Sequence, residues 1–190
     1  MAAPTEPESE FRMPLRPGGW TVDDVLALPE DHTAGQRVEL MDGTLLVSPA
    51  PNSAHQRLLQ KLQFALAPGL PEATELLPGV NVRFGENRLL VPDFVVLTCP
   101  AVDTVSYLAS DVLMAAEIES PSTRVEDRIV KRALYAEGRV PFYLLVDPSP
   151  SPASATLFAL GELAYESIAK SENGRLVLTR PFEVTLDLRH

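Results

Sequence analysis

The sequence predicts a mixed α/β fold (α+β mixed), with a central mixed β-sheet flanked by helices. From Ser53 to Asp147 the hydrophobic pattern has the period of a helix, then of three strands, then of a helix and a last strand. Paired apolar segments before and after this stretch predict an extra N-terminal hairpin and C-terminal antiparallel strands. Because 190 residues supply one hydrophobic core, we expect a single domain over residues 20–190.

Composition and charge limit the classes of function that this chain can have. The chain has 26 acidic and 16 basic residues and a net charge of −10, which counts against a non-specific nucleic-acid binder. A nucleic-acid role would therefore need a local basic patch, or metal ions that bridge to phosphate. Residues 1–10 are acidic and rich in proline, so we expect a disordered tail that reaches to about residue 19, and not a signal peptide.

Localisation is predicted from what the chain lacks. No apolar run approaches the roughly 18 residues that a membrane helix needs, so we expect no membrane partner. The lone Cys99 cannot form an internal disulfide, which is compatible with a reducing cytoplasm.

The N-terminal elements have clear boundary signals. Residues Trp20–Pro29 predict a short helix, with Thr21 as its cap and Asp24 three residues later. Residues Arg37–Val47 predict a hairpin, because the Asp42-Gly43 turn separates two apolar segments.

The central elements follow in order. Leucines at helical spacing predict a helix from Ser53 to about Ala67, which Pro68-Gly69 ends. A second helix starts at Ser122 or Thr123 and runs to about Glu137. The predicted strands are Thr74–Phe84, Leu89–Leu97, Val112–Ser120 and Pro141–Asp147, and then, in two hairpins, Ala155–Leu160, Leu163–Ala169, Leu176–Thr179 and Phe182–Leu188.

Two of the buried strands carry a carboxylate. Asp93 and Glu117 lie inside apolar runs, where a charge is costly unless it is paired or binds a metal. Two carboxylates on adjacent strands can hold a hard cation such as Mg²⁺ or Mn²⁺, which supports phosphoryl hydrolysis. Glu119 lies on the same strand face as Glu117, so it is a third candidate catalytic carboxylate that would converge on the same pocket. Ile118 points to the opposite face, into the core.

The second helix carries a basic face. Its cations are Arg124, Arg128, Lys131 and Arg132. Lys131 is placed to reach back to the carboxylates, where it would orient the attacking water or contact the scissile phosphate. Arg124 and Arg128 are candidates for contacts to neighbouring phosphates.

Each of these residues also has a structural alternative. Asp93 could be a strand-end residue bonded to backbone amides, and Glu117 could form a buried ion pair with an arginine. Glu119 could pair with the basic helix face. Lys131 could pair with Asp127 one turn earlier on a solvated helix.

A set of spaced motifs carries a family resemblance. The motifs are Glu39-Leu40-Met41-Asp42-Gly43; Ser48-Pro49 followed by His55; Val91-Pro92-Asp93; Glu117-Ile118-Glu119-Ser120-Pro121-Ser122-Thr123; Asp127 with Lys131 and Tyr135; and Val140-Pro141-Phe142-Tyr143-Leu144-Leu145-Val146-Asp147-Pro148. Over about Trp20 to Pro148 the chain resembles the Uma-two family of restriction-endonuclease-like proteins, within the PD-(D/E)xK nuclease superfamily. The resemblance implies a restriction-endonuclease-like core, whose order of helix, three strands, helix and strand matches the order predicted above.

The resemblance also implies roles for single residues. Asp93 and Glu117 become the metal-binding carboxylates. The superfamily often has a lysine two residues after the glutamate, where this chain has Glu119, and Lys131 is the implied replacement.

Two further residues enter through the resemblance. Glu39 is an additional acidic metal ligand, with pairing to Arg37 or another cation as its alternative. His55 is a polar contributor that could contact phosphate or substrate, with an ordinary helix-start histidine as its alternative.

The main functional hypothesis is a Mg²⁺- or Mn²⁺-dependent endonuclease that acts on DNA, as a homodimer by analogy. The rival hypothesis is a catalytically inactive nuclease-fold protein with a binding role, which the acidic charge and Glu119 both favour. A third hypothesis is a metal site that acts on another phosphoester.

Overall fold

A computed structural model describes residues 16–29, 36–120 and 126–189, and of residues 126–128 it describes the backbone alone. Residues 1–15 of the expected tail lie outside the described residues. Residues 16–19, also assigned to the tail by sequence, form a turn in which the Gly19 N–H donates to the Arg16 carbonyl over 3.1 Å. The Arg16 guanidinium lies 4.6 Å from the Trp20 ring centroid, so the folded part begins before residue 20. No helix in the described ranges is long and apolar enough to cross a bilayer.

The described part of the chain contains many short strands and few helices. The helices are α1 Val22–Leu26, α2 Ser53–Leu66 and α3 Arg132–Glu137, with a π-helical segment Glu126–Lys131 directly before α3. The strands are β1 Arg37–Met41, β2 Thr44–Ser48, β3 Glu75–Pro78, β4 Val82–Arg83, β5 Leu89–Leu90, β6 Phe94–Leu97, β7 Tyr107–Leu108, β8 Val112–Ile118, β9 Phe142–Asp147, β10 Ser154–Leu160, β11 Tyr165–Lys170, β12 Arg175–Leu178 and β13 Val184–Asp187.

The N-terminal predictions are confirmed. Thr21 and Asp24 form a reciprocal capping box at the start of α1. The β1–β2 hairpin turns at Asp42 and Gly43, whose φ angles of 49° and 79° are those of a type I′ turn. In this conformation glycine has no steric cost, which explains the Asp-Gly pair.

The largest sheet is mixed, as predicted. Its strand order is β11-β10-β9-β8-β6-β3, and β8 with β9 is its parallel pair. Met114, Ala116 and Ile118 point from β8 into a core that also contains Leu62 and Leu66 of α2. The alternate residues of β8 face the other side of the sheet, and Glu117 is one of them.

Two predicted strands are each broken in two. Residues 74–84 form β3 and β4, which separate near Gly79, where φ is 59°. Residues 89–97 form β5 and β6, which separate at Pro92, because proline has no N–H to donate to a ladder. Strands β3 and β6 belong to the large sheet, whereas β4 and β5 join a second sheet of order β2-β1-β5-β4-β7. Asp93 therefore lies where the chain passes from one sheet to the other.

The C-terminal strands extend and cover the large sheet. The β10–β11 hairpin continues it at one edge. Strands β12 and β13 pair with each other, and Leu176, Leu178 and Leu186 join the core on the α2 side. The two-residue strand β7 is an element that sequence patterning did not predict.

Candidate functional site

Asp93, directly before β6, is hydrogen-bonded to both chain neighbours of Glu117 on β8. The Asp93 N–H donates to the Ala116 carbonyl over 3.0 Å, and Phe94 is paired with Ala116. The Ile118 N–H donates to Asp93 Oδ2 over 2.7 Å. Asp93 and Glu117 are each only 1% exposed, so both carboxylates are buried, as predicted from their apolar strands.

Asp93 is held by two basic side chains from outside its sheet. Arg37 Nη2 on β1 lies 2.7 Å from Asp93 Oδ1. His55 Nε2, at the start of α2, lies 3.1 Å from Asp93 Oδ2. His55 is placed there because Asn52 caps α2 and accepts a hydrogen bond from the His55 N–H over 2.9 Å.

Glu117 receives two donors from the helix that follows it in sequence. Lys131 Nζ lies 3.1 Å and the Tyr135 hydroxyl 2.9 Å from Glu117 Oε1. Lys131 ends the π-helical segment and Tyr135 lies in α3 four residues later, so both side chains share one helix face. Single π-helical turns often occur at functional sites.

Lys131 joins a third carboxylate to the cluster. Its Nζ lies 2.9 Å from Glu39 Oε1, and that same oxygen accepts a hydrogen bond from the Val91 N–H over 2.8 Å. Lys131 and Glu39 are 2% and 4% exposed. One ammonium group therefore lies between two buried carboxylates that come from different sheets.

The surroundings of Asp93 shift its pKa, and they also shift the pKa of Arg37. Burial raises the pKa of Asp93, but the hydrogen bonds and positive charges of His55 and Arg37 outweigh burial and hold that pKa below its usual range. Burial lowers the pKa of Arg37, but the negative charges of Asp93 and Glu117 outweigh burial and raise that pKa above its usual value. The Asp93 carboxylate and the Arg37 guanidinium are therefore both ionised at neutral pH.

Tyr135 is a neutral donor to Glu117. Its side chain is fully buried, and burial together with the negative charges of Glu117 and Glu39 raises the pKa of Tyr135 well above its usual value. The hydroxyl therefore stays protonated over the physiological pH range and donates a hydrogen bond to the Glu117 carboxylate.

Only one of the two ring nitrogens of His55 contacts Asp93. Its Nδ1 is buried and has no hydrogen-bond partner among the described residues. A buried nitrogen without a partner is uncommon in a folded protein, because it loses its hydrogen bonds to water without replacement.

The other predicted candidates are placed less fully. Glu119 is buried beyond the end of β8, and its N–H donates to the Val146 carbonyl over 2.8 Å. Arg124 lies outside the described residues. Arg128 lies in the π-helical segment with its side chain outside the described part, as does Asp127. The phosphate contacts of the two arginines stay predictions.

Sequence reasoning missed two members of the cluster. Arg37, one possible partner of Glu39, contacts Asp93, and Lys131 is the other cation that pairs with Glu39. The Tyr135 hydroxyl was not assigned a role. Its spacing of four residues from Lys131 is the signal that could have found it.

Carboxylate oxygens are the donor type that a hard divalent cation prefers, and the cluster supplies them. The Lys131 ammonium already lies 2.9 and 3.1 Å from oxygens of Glu39 and Glu117, so a positive charge between these groups is part of the described arrangement. Within the described ranges, no group of three or more His, Cys, Asp or Glu side chains has the arrangement of a metal site. The oxygen donors match a hard cation in type, but they are arranged around Arg37 and Lys131, so metal binding would require these basic side chains to give up contacts.

Comparisons with known proteins identify the family and the fold of this chain. A family model described as "Uma2: Putative restriction endonuclease" matches residues 22–189. A solved structure titled as "a putative nuclease belonging to DUF820 from Anabaena variabilis ATCC 29413" matches with a TM-score of 0.62 and 19% sequence identity, over 85% of this chain and 89% of that chain. At this identity the likeness shows a shared fold. A search of the curated proteins found no match.

Proposed function

The chain belongs to the Uma2 family, whose model is described as "Putative restriction endonuclease", and we propose on this basis that it is a divalent-metal-dependent endonuclease which hydrolyses phosphodiester bonds of DNA. The observation that carries the proposal is the pair Asp93 and Glu117. They are two buried carboxylates on neighbouring strands, each held by basic side chains from other elements. Buried charges that are costly to maintain and converge from several elements are typical of a reaction site.

In this proposal Asp93 and Glu117 hold Mg²⁺ or Mn²⁺, with Glu39 as an additional ligand. The bound cation would supply Lewis-acid stabilisation of charge on the phosphoryl oxygen and activation of water. Arg37 and His55 orient the Asp93 carboxylate, which accepts hydrogen bonds on both of its oxygens. The Ile118 N–H fixes the Asp93 side chain to β8.

In this proposal Lys131 has the role of the superfamily lysine that stands two residues after the glutamate, at the position of Glu119 in this chain. Its ammonium reaches Glu117 from the helix, so it can orient the attacking water or contact the scissile phosphate. Tyr135 keeps a donor on Glu117 when Lys131 turns toward substrate. His55 Nδ1 is a candidate contact for a phosphate oxygen or a water molecule.

A second function, nucleic-acid binding without catalysis, is favoured by one specific observation. Lys131 lies within ion-pair distance of both Glu39 and Glu117, and Glu119 replaces the lysine that would stand on the strand. The space between these two carboxylates therefore already holds a cationic group without a metal ion.

Calorimetric titration with Mn²⁺ and a plasmid-nicking assay with Mg²⁺ or Mn²⁺ test the proposal together. We expect Asp93→Asn and Glu117→Gln each to abolish Mn²⁺ binding and nicking. A matched control is Glu75→Gln, since Glu75 is a half-buried carboxylate of the same large sheet that accepts a hydrogen bond from the Ala101 N–H. Mn²⁺ binding without cleavage of any DNA would favour the binding function, and the absence of both would overturn the nuclease proposal.

A homodimer that cuts both strands is part of this proposal, by analogy with restriction-type enzymes. Sedimentation analysis of the full chain, with and without DNA, tests it. A monomer that makes only single-strand nicks would contradict the dimer while leaving the metal-dependent chemistry in place.

A further inference from the structure

A groove of about 530 Å³ lies between the helical segment and strands β9, β10 and β11. Ile129 and Arg132 line it from the helical side, and Leu145, Thr156 and Lys170 line it from the sheet. We call it the β9–β11 groove.

Strand register connects the groove directly to Glu117. Glu117 is paired with Leu145, Leu145 with Thr156, and Thr156 with Lys170. Directly paired residues share a face of a sheet, so these four side chains form one row. Three spacings of about 4.8 Å make the row about 14 Å long, the length of about four nucleotides of one DNA strand at about 3.4 Å each.

A β-bulge increases the polar lining of the groove. Leu157 is paired with Ala169 and Phe158 with Ser167, so two consecutive residues of β10 face three residues of β11 and Ile168 is the extra residue. In a regular strand, Ser167 and Lys170 would point to opposite faces, because side chains alternate. The extra residue turns both toward the groove, and bulges often re-aim side chains near active sites.

The groove carries positive charge in an acidic protein. Arg132 Cζ lies 5.0 Å from the Phe158 ring centroid, and among the described residues neither Arg132 nor Lys170 has a carboxylate within ion-pair distance. Asp147 is the one acidic residue in the described lining, and its Oδ1 accepts a hydrogen bond from the Ser149 N–H over 2.8 Å. The chain as a whole has 26 acidic and 16 basic residues, so this local excess of cations is opposite to its average.

We propose that the β9–β11 groove binds the sugar–phosphate backbone next to the scissile phosphate, with Arg132 and Lys170 as phosphate contacts and with Thr156 and Ser167 as hydroxyl donors. This inference rests on the proposed nuclease function and adds to it the direction in which the bound DNA strand runs. The bound strand leaves Glu117 across β9 and β10 and reaches the edge of the sheet at β11.

A charge-reversal pair tests the groove. Lys170→Glu changes an exposed lysine in the groove, and Lys61→Glu changes an exposed lysine on α2, which covers the opposite face of the sheet. Both variants change the net charge equally. Fluorescence anisotropy of a labelled duplex, with and without Mg²⁺ and over a series of salt concentrations, should show several-fold weaker binding for Lys170→Glu. The slope of log K against log salt should fall by about 0.9 for the lost contact, with no such fall for Lys61→Glu.

A second pair tests the arginine. Arg132→Gln removes a guanidinium stacked on Phe158, and Arg180→Gln removes one that lies 5.7 Å from the Phe142 ring on the α2 side. Both lose a cation–π contact, so their stabilities should change alike. We expect only Arg132→Gln to weaken DNA binding and to raise the KM for DNA cleavage.

The outcomes separate the two proposals. If the parent protein cleaves DNA but both groove variants match their controls in binding and KM, the groove assignment is overturned and the nuclease function stands. If the parent binds DNA without cleaving it and both groove variants weaken binding, the groove assignment is supported and the catalytic proposal fails. A parent that neither binds nor cleaves DNA overturns both.

Discussion

Lys131 and Glu117 form a buried ion pair, with 3.1 Å between Nζ and Oε1, although they are 14 residues apart and lie on a helical segment and a strand. The strand position two residues after Glu117 holds Glu119. The ammonium group beside Glu117 therefore comes from the helix, because the strand has no lysine at this position.

Lys131→Met should lower the free energy of unfolding by about 3–5 kcal/mol in the presence of EDTA, because it leaves buried Glu39 and Glu117 without their shared cation. Mn²⁺ should restore part of this loss, and it should stabilise the variant more than the parent. Urea denaturation with and without Mn²⁺ measures both effects. The exposed Lys61→Met is the control, with an expected change of at most about 0.5 kcal/mol. An equal response of variant and parent to Mn²⁺ would contradict cation binding between these carboxylates.

Nicking activity should separate the roles of the helical lysine and the strand glutamate. Lys131→Met should reduce the rate by about 10²-fold or more, the range typical of a positioned acid–base group. Glu119→Gln should leave most of the activity, since Lys131 and Tyr135 supply the donors on Glu117. Steady-state assays with matched protein concentrations measure the two rates. A loss for Glu119→Gln as large as that for Glu117→Gln would instead make Glu119 part of the reaction site.

Tyr135→Phe should cost about 1.5–3 kcal/mol, because a hydrogen bond to a buried carboxylate is lost. The pKa of Tyr135 is raised in the folded state, so above pH 10 the folded protein binds more protons than the unfolded chain. Its contribution to stability is thus complete below pH 10 and is lost at higher pH. The free-energy difference between parent and variant, measured by urea denaturation from pH 7 to 11, should shrink above pH 10. A constant difference would show that the hydroxyl does not titrate in this way.

Asp93→Asn should remove an acid-sensitive part of the stability. The lowered pKa of Asp93 means that the unfolded chain binds more protons at pH values between the folded pKa and about 3.9. Its stabilisation is therefore complete above that range and is lost as the pH falls through the folded pKa. Denaturation curves from pH 7 down to pH 3 should show a steeper acid loss for the parent than for the variant. Parallel curves would assign the acid loss to other carboxylates.

Much of the fold follows from local chemistry that can be seen in the sequence. The Thr21–Asp24 capping box, the Asp42-Gly43 turn and the leucines of α2 each depend on neighbouring residues, and each is confirmed. From Ser53 to Asp147 the predicted helices and strands occur in the predicted order, although two of the strands are divided and β7 is additional.

The breaks at Gly79 and Pro92 were harder to predict. Apolar residues continue on both sides of each break, and periodicity alone does not tell which sheet a strand joins. Strand pairing depends on residues far away in the chain, so the division into two sheets appears only in the tertiary structure.

Apolar neighbours on both sides leave a strand residue little access to water, so the burial of the Asp93 and Glu117 carboxylates could be predicted from the sequence. Their cationic partners could not. Arg37, one possible partner of Glu39, contacts Asp93, and Lys131 joins Glu117 to Glu39 across the two sheets. The physical reason is that burial follows from local hydrophobicity, whereas an ion pair requires two distant segments to be brought within about 3 Å, which the packing of helix and sheets decides.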